Sequence, residues 1–186
     1  MDVLSGLTLA APAGLNAYIP LLVTAVAERL GWIHLASPYD ALGNGWVIAL
    51  IAVLLAIEVV ADKVPAVDHA NDVVQTVVRP AAGGFLALAA GHGTVSPVAL
   101  VVAGVLIAGG VHAVKASARP VVNVSTAGVG APVVSTLEDV ASLVVAVLAW
   151  LAPLLAAVAA VTGIVALGLL VRRWRRAWTR PGRAAP

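Results

Sequence analysis

The chain has 186 residues, of which 61% are hydrophobic and only 11% are charged. An average soluble domain carries roughly a quarter charged residues, and a chain with so few cannot cover its surface in water. The composition therefore excludes an ordinary soluble enzyme and a nucleic-acid-binding module, and it indicates an integral membrane protein. Because the chain has no cysteine, disulfides, thiolate metal sites and a cysteine nucleophile are excluded as well.

The positive charge is concentrated at the C-terminus. Six of the 11 basic residues lie in the last fifteen positions, which leaves five basic residues against nine acidic ones in the rest of the chain. These six are Arg172, Arg173, Arg175, Arg176, Arg180 and Arg183. We expect 172–186 to form a cytoplasmic tail that binds anionic lipids. Nucleic acid is not an expected partner, because no stacking aromatics or base-reading element accompany the arginines.

Residues 1–171 are predicted to form an all-α, polytopic transmembrane bundle of about six spans, since a spanning helix needs about 20 mostly apolar residues. In chain order the candidate stretches are 7–30, 45–60, 81–90, 97–114, 136–151 and 153–171. Pro12 and Pro20 interrupt the first stretch, and Pro20 predicts a broken helix there. The third is short: it either borrows residues from before Pro80 or re-enters the membrane without crossing it.

The lysines and arginines predict the orientation of the bundle. If the chain has six spans, the basic residues that precede the tail, apart from Arg29, lie in two loops on the same side as the tail. They are Lys63, Arg79, Lys115 and Arg119. The positive-inside rule makes that side cytoplasmic. We therefore expect a multi-pass protein of the cell membrane with a cytoplasmic C-terminus. The N-terminus is expected on the same side, unless one stretch is re-entrant.

Polar residues recur every three or four positions after the second span, which places them on one face of a helix. They are Glu58, Asp62, Pro65, His69, Asp72, Thr76 and Arg79, and Asp68 lies beside them. The segment is either a solvated linker along the membrane surface or the wall of a polar cavity between spans. Glu58 favours the cavity, because it lies one turn inside the span.

A second polar face follows the fourth span. His112, Lys115 and Arg119 lie at positions i, i+3 and i+7. The two basic residues either pair with the acids of the first face or extend to the membrane surface from a helix end.

Residues 123–139 contain Gly128, Gly130 and Pro132, which make a continuous helix unfavourable there. Four neutral side chains at such helix breaks are candidate ligands: Asn16 in the first stretch, and Asn123, Ser125 and Thr126 in this segment. Two further acids in this segment are Glu138 and Asp139. They are either ligands of a cation or, with Ser135 or Thr136, members of a capping box at the start of the fifth span.

An internal duplication is one interpretation of the repeated pattern at an offset of 52 residues. At that offset Lys63 aligns with Lys115 and Pro80 with Pro132. Small transporters are often built from such halves, with the binding site at their interface.

Three strings carry a family resemblance: GLNAYIP at 14–20, VADKVPAVD at 60–68 with Arg79-Pro80, and STAGVGAPVVSTLED at 125–139. Together they resemble a bacterial membrane family known as domain of unknown function 4126. The resemblance covers most of 5–150. It implies an integral membrane protein with one polar site, and no activity or cofactor.

The leading functional hypothesis is a transporter or channel for an ion or small polar solute. Glu58 and Asp62 are the expected proton or cation ligands, and the four basic residues of the two loops are counter-charges or anion ligands. The alternatives are a membrane enzyme or flippase acting on a lipid phosphate, and a structural or assembly protein. An enzyme is the less favoured class, because HExxH, GxSxG and P-loop patterns are missing from the sequence. No cofactor is expected, a metal is left open, and a homo-oligomer is one expected form.

Overall fold

The computed structural model describes residues 3–62, 65–91, 95–126 and 129–178. The regular structure in these ranges is entirely helical, as the composition predicts. Seven α-helices follow one another: α1 (Val3–Leu15), α2 (Tyr18–Arg29), α3 (Gly45–Ala61), α4 (Pro65–Ala90), α5 (Pro97–Ser125), α6 (Gly130–Leu151) and α7 (Pro153–Trp178). A short 3₁₀ helix, Tyr39–Gly43, lies between α2 and α3.

The first apolar stretch forms two short helices that are joined at Asn16. The predicted break is present, but it lies four residues before Pro20, and α1 continues through Pro12. The Asn16 side chain accepts hydrogen bonds from the backbone N–H groups of Tyr18, at 3.0 Å, and Ile19, at 3.1 Å. These are donors of the first turn of α2 that have no partner within the helix. The local cap therefore favours starting a new helix here.

The chain reverses direction between α1 and α2. Three hydrogen bonds to α6 show this, and they pair Pro12 with Ser142, Asn16 with Asp139, and Thr24 with Trp150. Along α1 and then α2, the residue number of the partner on α6 decreases from 142 to 139 and then increases to 150. Helices α1 and α2 are therefore the two arms of a re-entrant hairpin, whose tip is Asn16–Ala17.

The five remaining helices alternate between two ends of the bundle. The loop end contains the 30–44 segment, and Tyr39 of this segment contacts Phe85 near the end of α4, with ring centroids 5.8 Å apart. The start of α1 is at the same end, because a Cβ at Gly6 would lie 2.8 Å from the backbone nitrogen of Gly91. The tail end is the opposite one, where α3 and α5 finish and α7 reaches Trp178.

Within the described ranges, four helices contain segments long and apolar enough to cross a membrane: Asn71–Ala90, Pro97–Pro120, Gly130–Leu151 and Pro153–Leu170. Helices α1 and α3 are shorter apolar helices. Large apolar side chains are widely exposed on α3 and α5–α7. Such exposure is unusual in a soluble monomer, but in a bilayer these side chains form the lipid-facing surface. The count of about six spans is thus approximate, and the re-entrant element is the first stretch, whereas the sequence points to the third.

The third stretch is part of one continuous helix, α4, which runs through Pro80. In the part of α4 that precedes the apolar segment, Gln75 and Arg79 are buried, while Val73, Val74 and Val77 are exposed. Arg79 therefore lies within a helix and is buried, as are Lys115 and Arg119 in α5. The expectation that these three lie in loops is wrong, because charged partners on other helices hold them inside the bundle.

Glycines allow α1, α4 and α5 to pack closely. A Cβ added at Gly14 would lie 2.6 Å from Cβ of Val111, and one at Gly83 would lie 2.8 Å from the Gly104 carbonyl oxygen. Real Cβ atoms do not approach so closely, so the three backbones are in near contact. This packing fixes the re-entrant hairpin against the two helices that carry the basic residues.

The internal duplication stays a prediction. An offset of 52 residues places the α3–α4 junction, 62–64, against 114–116, which lie within α5. The helix break is therefore not repeated at the aligned position.

Candidate functional site: a buried charge cluster

Six ionisable side chains from four helices meet beside the tip of the hairpin. We call them the buried charge cluster: Glu58, Asp62, Arg79, Lys115, Arg119 and Glu138. Glu138 has 12% of its side chain exposed, and each of the other five has 7% or less. With three acids and three bases the cluster is formally neutral. Its charges lie inside the bundle, where an unpaired charge is very costly.

Asp62 is the central acid of the cluster. Its Oδ2 lies 3.1 Å from Nη2 of Arg119, 3.5 Å from Nζ of Lys115 and 3.8 Å from Nη2 of Arg79. Asn71 donates to its other oxygen at 2.7 Å. One carboxylate thus links the end of α3 with α4 and α5, so that neither α4 nor α5 moves away from α3 without separating charges.

The two other acids each pair with part of the basic set. Glu58 accepts a hydrogen bond from Arg79 at 2.8 Å. Glu138 lies 2.9 Å from Nζ of Lys115 and 3.4 Å from Nη2 of Arg119. Lys115 and Arg119 are therefore shared between Asp62 and Glu138. Shared partners of this kind allow one contact to be exchanged without leaving a charge unpaired.

The hairpin tip is attached to the cluster by hydrogen bonds. Lys115 donates to the Leu15 carbonyl, one of the last in α1, at 2.8 Å, which is a favourable position for a cation. Asn16 donates through Nδ2 to Asp139 at 2.9 Å while its oxygen caps α2. Asp139 is thus coupled to the break itself, and it brings a fourth carboxylate next to the cluster.

His112 extends the polar network along α4. Its Nδ1 lies 3.0 Å from Nη1 of Arg79, and its Nε2 lies 3.2 Å from the Thr76 hydroxyl. Because a guanidinium only donates, Nδ1 is the acceptor, and the neutral tautomer with a proton on Nε2 satisfies both contacts. Thr76 in turn donates to the Asp72 carbonyl at 2.8 Å.

Four buried side-chain atoms of the described residues have no hydrogen-bond partner in the protein. They are Oδ1 of Asp72, Oε1 of Gln75, Nε of Arg79 and Oε2 of Glu58. The first three residues are spaced i, i+3 and i+7 on one face of α4, and this face ends at Glu58. Buried polar atoms are almost always satisfied, so the row is a place for water or a polar ligand.

The sequence-predicted site residues fall into three groups. The structure brings together in or beside the cluster Asn16, Glu58, Asp62, Asp72, Arg79, Lys115, Arg119, Glu138 and Asp139. Lys63 lies outside the described residues, and so do the side chains of Asp68 on α4 and Asn123 on α5. Ser125 and Thr126 lie at the exposed end of α5, where both hydroxyls donate to the Val122 carbonyl.

The capping box predicted for the fifth span is absent, because α6 begins at Gly130, five residues before Ser135. Ser135 instead donates to Asp62 at 3.5 Å, and Thr136 donates to the Pro132 carbonyl. The acids of this segment are thus free to face the cluster. Sequence reasoning did not identify Asn71, Gln75 and Ser135 as site residues. For Gln75 a signal exists, since it is spaced i+3 from Asp72 and i−4 from Arg79.

Within the described residues, no group of three or more His, Asp and Glu side chains is arranged to hold a metal ion. The acids of the cluster face basic side chains, which occupy the positions that a divalent cation would need. The arrangement is suited to exchanging ion-pair partners with a small polar species.

A family model described as domain of unknown function, DUF4126, matches residues 3–173. The chain therefore belongs to this family, as the three sequence strings indicate. No curated protein and no solved structure matches the chain.

Proposed function

We propose that this DUF4126 protein is a transporter or channel for an ion or small polar solute, and that the buried charge cluster is its binding site. The observation that carries the proposal is the convergence of three acids and three bases at the tip of a re-entrant hairpin. Helix breaks near the middle of a bundle, with charged side chains around them, are the usual construction of transporter sites.

The energetic cost of the cluster supports a functional role. Well-packed apolar side chains in place of a buried ion pair or triad often leave a protein equally or more stable, by about 1–4 kcal/mol. A bundle that needed only to hold together would not require six buried charges. Ionisable residues within membrane segments most often mark ion and substrate pathways or proton relays.

The unpartnered polar atoms on α4 give the expected route of entry. Asp72 is partly exposed near the tail end, whereas Gln75, Arg79 and Glu58 are at most 2% exposed. Water along this face would satisfy the four atoms and connect the tail end with Glu58. We assign Glu58 as the first carboxylate of the buried charge cluster that a proton or cation meets, since its Oε2 has no partner in the protein.

The proposed orientation places the tail end in the cytoplasm of a cell whose membrane the bundle crosses. Arg172, Arg173 and Arg176 are exposed in the last turns of α7. Basic residues at the end of a spanning helix favour the cytoplasmic side and anionic lipids. Entry along α4 would then be from the cytoplasm.

Flux through proteoliposomes tests the proposal. Purified protein is reconstituted, and the movement of H⁺, Na⁺, K⁺, Cl⁻ and phosphate is recorded for the wild type and for Glu58→Gln and Lys115→Met. The matched control is Asp40→Asn, since Asp40 is exposed at the loop end. We expect flux of at least one ion in the wild type and the control, reduced about tenfold or more in both cluster variants.

Two results would overturn the proposal. One is flux that is unchanged by either cluster substitution in variants that still fold. The other is a wild type that moves none of these ions but turns over a lipid phosphate, which would favour the membrane-enzyme alternative.

A further inference from the structure

Three of the unpartnered polar atoms belong to side chains that are at most 2% exposed. We call them the unpartnered triad: Oε1 of Gln75, Nε of Arg79 and Oε2 of Glu58. Gln75 and Arg79 are one turn apart on α4, a rise of about 6 Å, and Arg79 donates a hydrogen bond to Glu58. The three side chains are therefore neighbours, close enough for a single small molecule to contact all of them.

The hydrogen-bonding capacity of the triad specifies the groups that its ligand must carry. The oxygens of Gln75 and Glu58 are acceptors, whereas Nε–H of the Arg79 guanidinium is a donor. A ligand that satisfies the whole triad must therefore donate twice and accept once. Because a buried polar atom without a partner is costly, such a ligand binds more tightly than one that pairs only part of the triad.

The charges around the triad favour a neutral ligand. Glu58 is paired with Arg79, and the other members of the buried charge cluster are paired with one another. An ion placed between Glu58 and Arg79 is attracted by one of these side chains and repelled by the other. Neither sign of charge therefore gains as much as a neutral group whose dipole matches both side chains.

Close packing of α4 against α5 limits where the ligand can extend. Gly83 is one turn beyond Arg79, and a Cβ added there would lie 2.8 Å from the Gly104 carbonyl oxygen. A Cβ added at Gly104 would lie 2.6 Å from Cβ of Ala87. The space between the two helices is therefore closed just past Arg79, and a ligand at the triad cannot extend toward the loop end.

We propose that the triad binds a small neutral molecule with a primary amide group. The amide carbonyl oxygen accepts a hydrogen bond from Nε of Arg79, and the two N–H groups donate to Oε2 of Glu58 and Oε1 of Gln75. A primary amide carries these donors and this acceptor on neighbouring atoms. The inference rests on the proposed function, because it names the class of small polar solute that binds at the buried charge cluster.

Three molecules of the same shape test the proposal: acetamide, acetate and the acetamidinium ion. Acetate has no donor, and acetamidinium has no acceptor. Ligands of this size bind with a Kd on the order of millimolar, which saturation-transfer difference NMR of their methyl groups detects with protein in detergent. We expect acetamide to bind at least about tenfold more tightly than either ion, because each ion leaves buried groups of the triad unpaired.

Two methionine substitutions on α4 supply a matched pair of variants. Gln75→Met removes the acceptor oxygen and keeps the length of the side chain. Val77→Met places the same side chain at a position that is 72% exposed on the lipid-facing side. We expect Gln75→Met to weaken acetamide binding by about tenfold and Val77→Met to leave it unchanged. A cooperative unfolding transition in both variants verifies that they are folded.

The proposal is refuted if acetamide gives no saturable signal, which would leave water as the occupant of the triad. It is equally refuted if either ion binds as tightly as acetamide, or if Gln75→Met binds acetamide as tightly as Val77→Met. Because the assay measures binding at equilibrium, its failure leaves the ion flux of the proposed function untouched. Acetamide binding without movement of acetamide or of any ion into proteoliposomes would contradict the transport proposal alone.

Discussion

Asp62 contacts three basic side chains within 3.8 Å and is 2% exposed. At the residue scale, we therefore expect its substitution to have the largest effect on the cluster. Lys115 and Arg119 each have a second acid in Glu138, whereas Arg79 has Glu58. Neutralising Asp62 leaves two carboxylates, Glu58 and Glu138, for three bases. The three buried cations then share two carboxylates, so part of their positive charge has no partner, which is costly inside the bundle.

We expect Asp62→Asn to destabilise the protein by about 3–5 kcal/mol, the usual effect of removing one partner of a buried ion pair. Asp72→Asn is the matched control, because Asp72 is partly exposed. The free energy of unfolding in detergent, from denaturant titration, measures the difference. The double variant Asp62→Asn with Lys115→Met should recover part of the loss, because it restores the balance of charges. Equal stability of the two single variants would contradict the central position of Asp62.

The sequence predicts part of this site at the level of residues. The three- and four-residue spacing from Glu58 to Arg79 indicates one polar face, and the structure buries Glu58, Asp62 and Arg79 of this set. No sequence pattern identifies Asn71 or Ser135 as a site residue, because a single amide or hydroxyl side chain has no spacing to detect. Their role follows from tertiary contacts with Asp62 that a linear pattern does not contain.

At the scale of elements, the re-entrant hairpin positions the site, and Asn16 is the residue that defines its tip. The Asn16 oxygen caps α2, and its amide group binds Asp139 on α6. Helix capping and attachment of the tip are therefore functions of a single side chain. Because Lys115 also binds the tip through the Leu15 carbonyl, loosening the cap alters the surroundings of the cluster.

Asn16→Ala should cost about 1 kcal/mol for the lost cap and more for the partly buried Asp139 left without its donor. Asn44→Ala is the control: Asn44 caps α3 through the Trp46 N–H, but it is exposed at the loop end. Hydrogen exchange checks the expectation. The amides of Tyr18 and Ile19 should exchange faster in Asn16→Ala and be unaffected in Asn44→Ala. Unchanged protection of both amides in Asn16→Ala would rule out the capping role.

The hairpin is also where sequence reasoning is least successful. A stretch of 24 mostly apolar residues, 7–30, has the length of a span, and Pro20 indicates a break without saying whether the chain continues or returns. The reversal depends on glycines that let α1, α4 and α5 pack closely, and on contacts of α6 with both α1 and α2. These are relations between distant segments, which composition and periodicity do not specify.

At the scale of the whole molecule, the reversal of the first stretch decides on which side the N-terminus lies. If residues 7–30 crossed the membrane, the start of α1 and the 30–44 segment would face opposite sides. In the structure both lie at the loop end, and the end of α5 lies at the tail end. The all-helical class and the apolar stretches follow from composition, but this arrangement needs the contacts between helices.

Single cysteines test the arrangement directly, since the natural chain has none. We expect Leu4→Cys and Ala36→Cys to react with a membrane-impermeant maleimide from one side of sealed vesicles, and Ser125→Cys from the other. All three positions are exposed. Labelling of Leu4→Cys from the same side as Ser125→Cys would show that the first stretch crosses the membrane and would contradict the hairpin.

The reaction of Gln75→Cys with a water-soluble methanethiosulfonate shows whether water reaches the buried charge cluster along α4. Gln75 is 2% exposed, while Val77 on the same helix is 72% exposed on the lipid-facing side. We expect modification of Gln75→Cys from the side that labels Ser125→Cys, and none of Val77→Cys, because thiolates form in water and not in lipid. An unreactive Gln75→Cys in folded protein, or a reactive Val77→Cys, would contradict it.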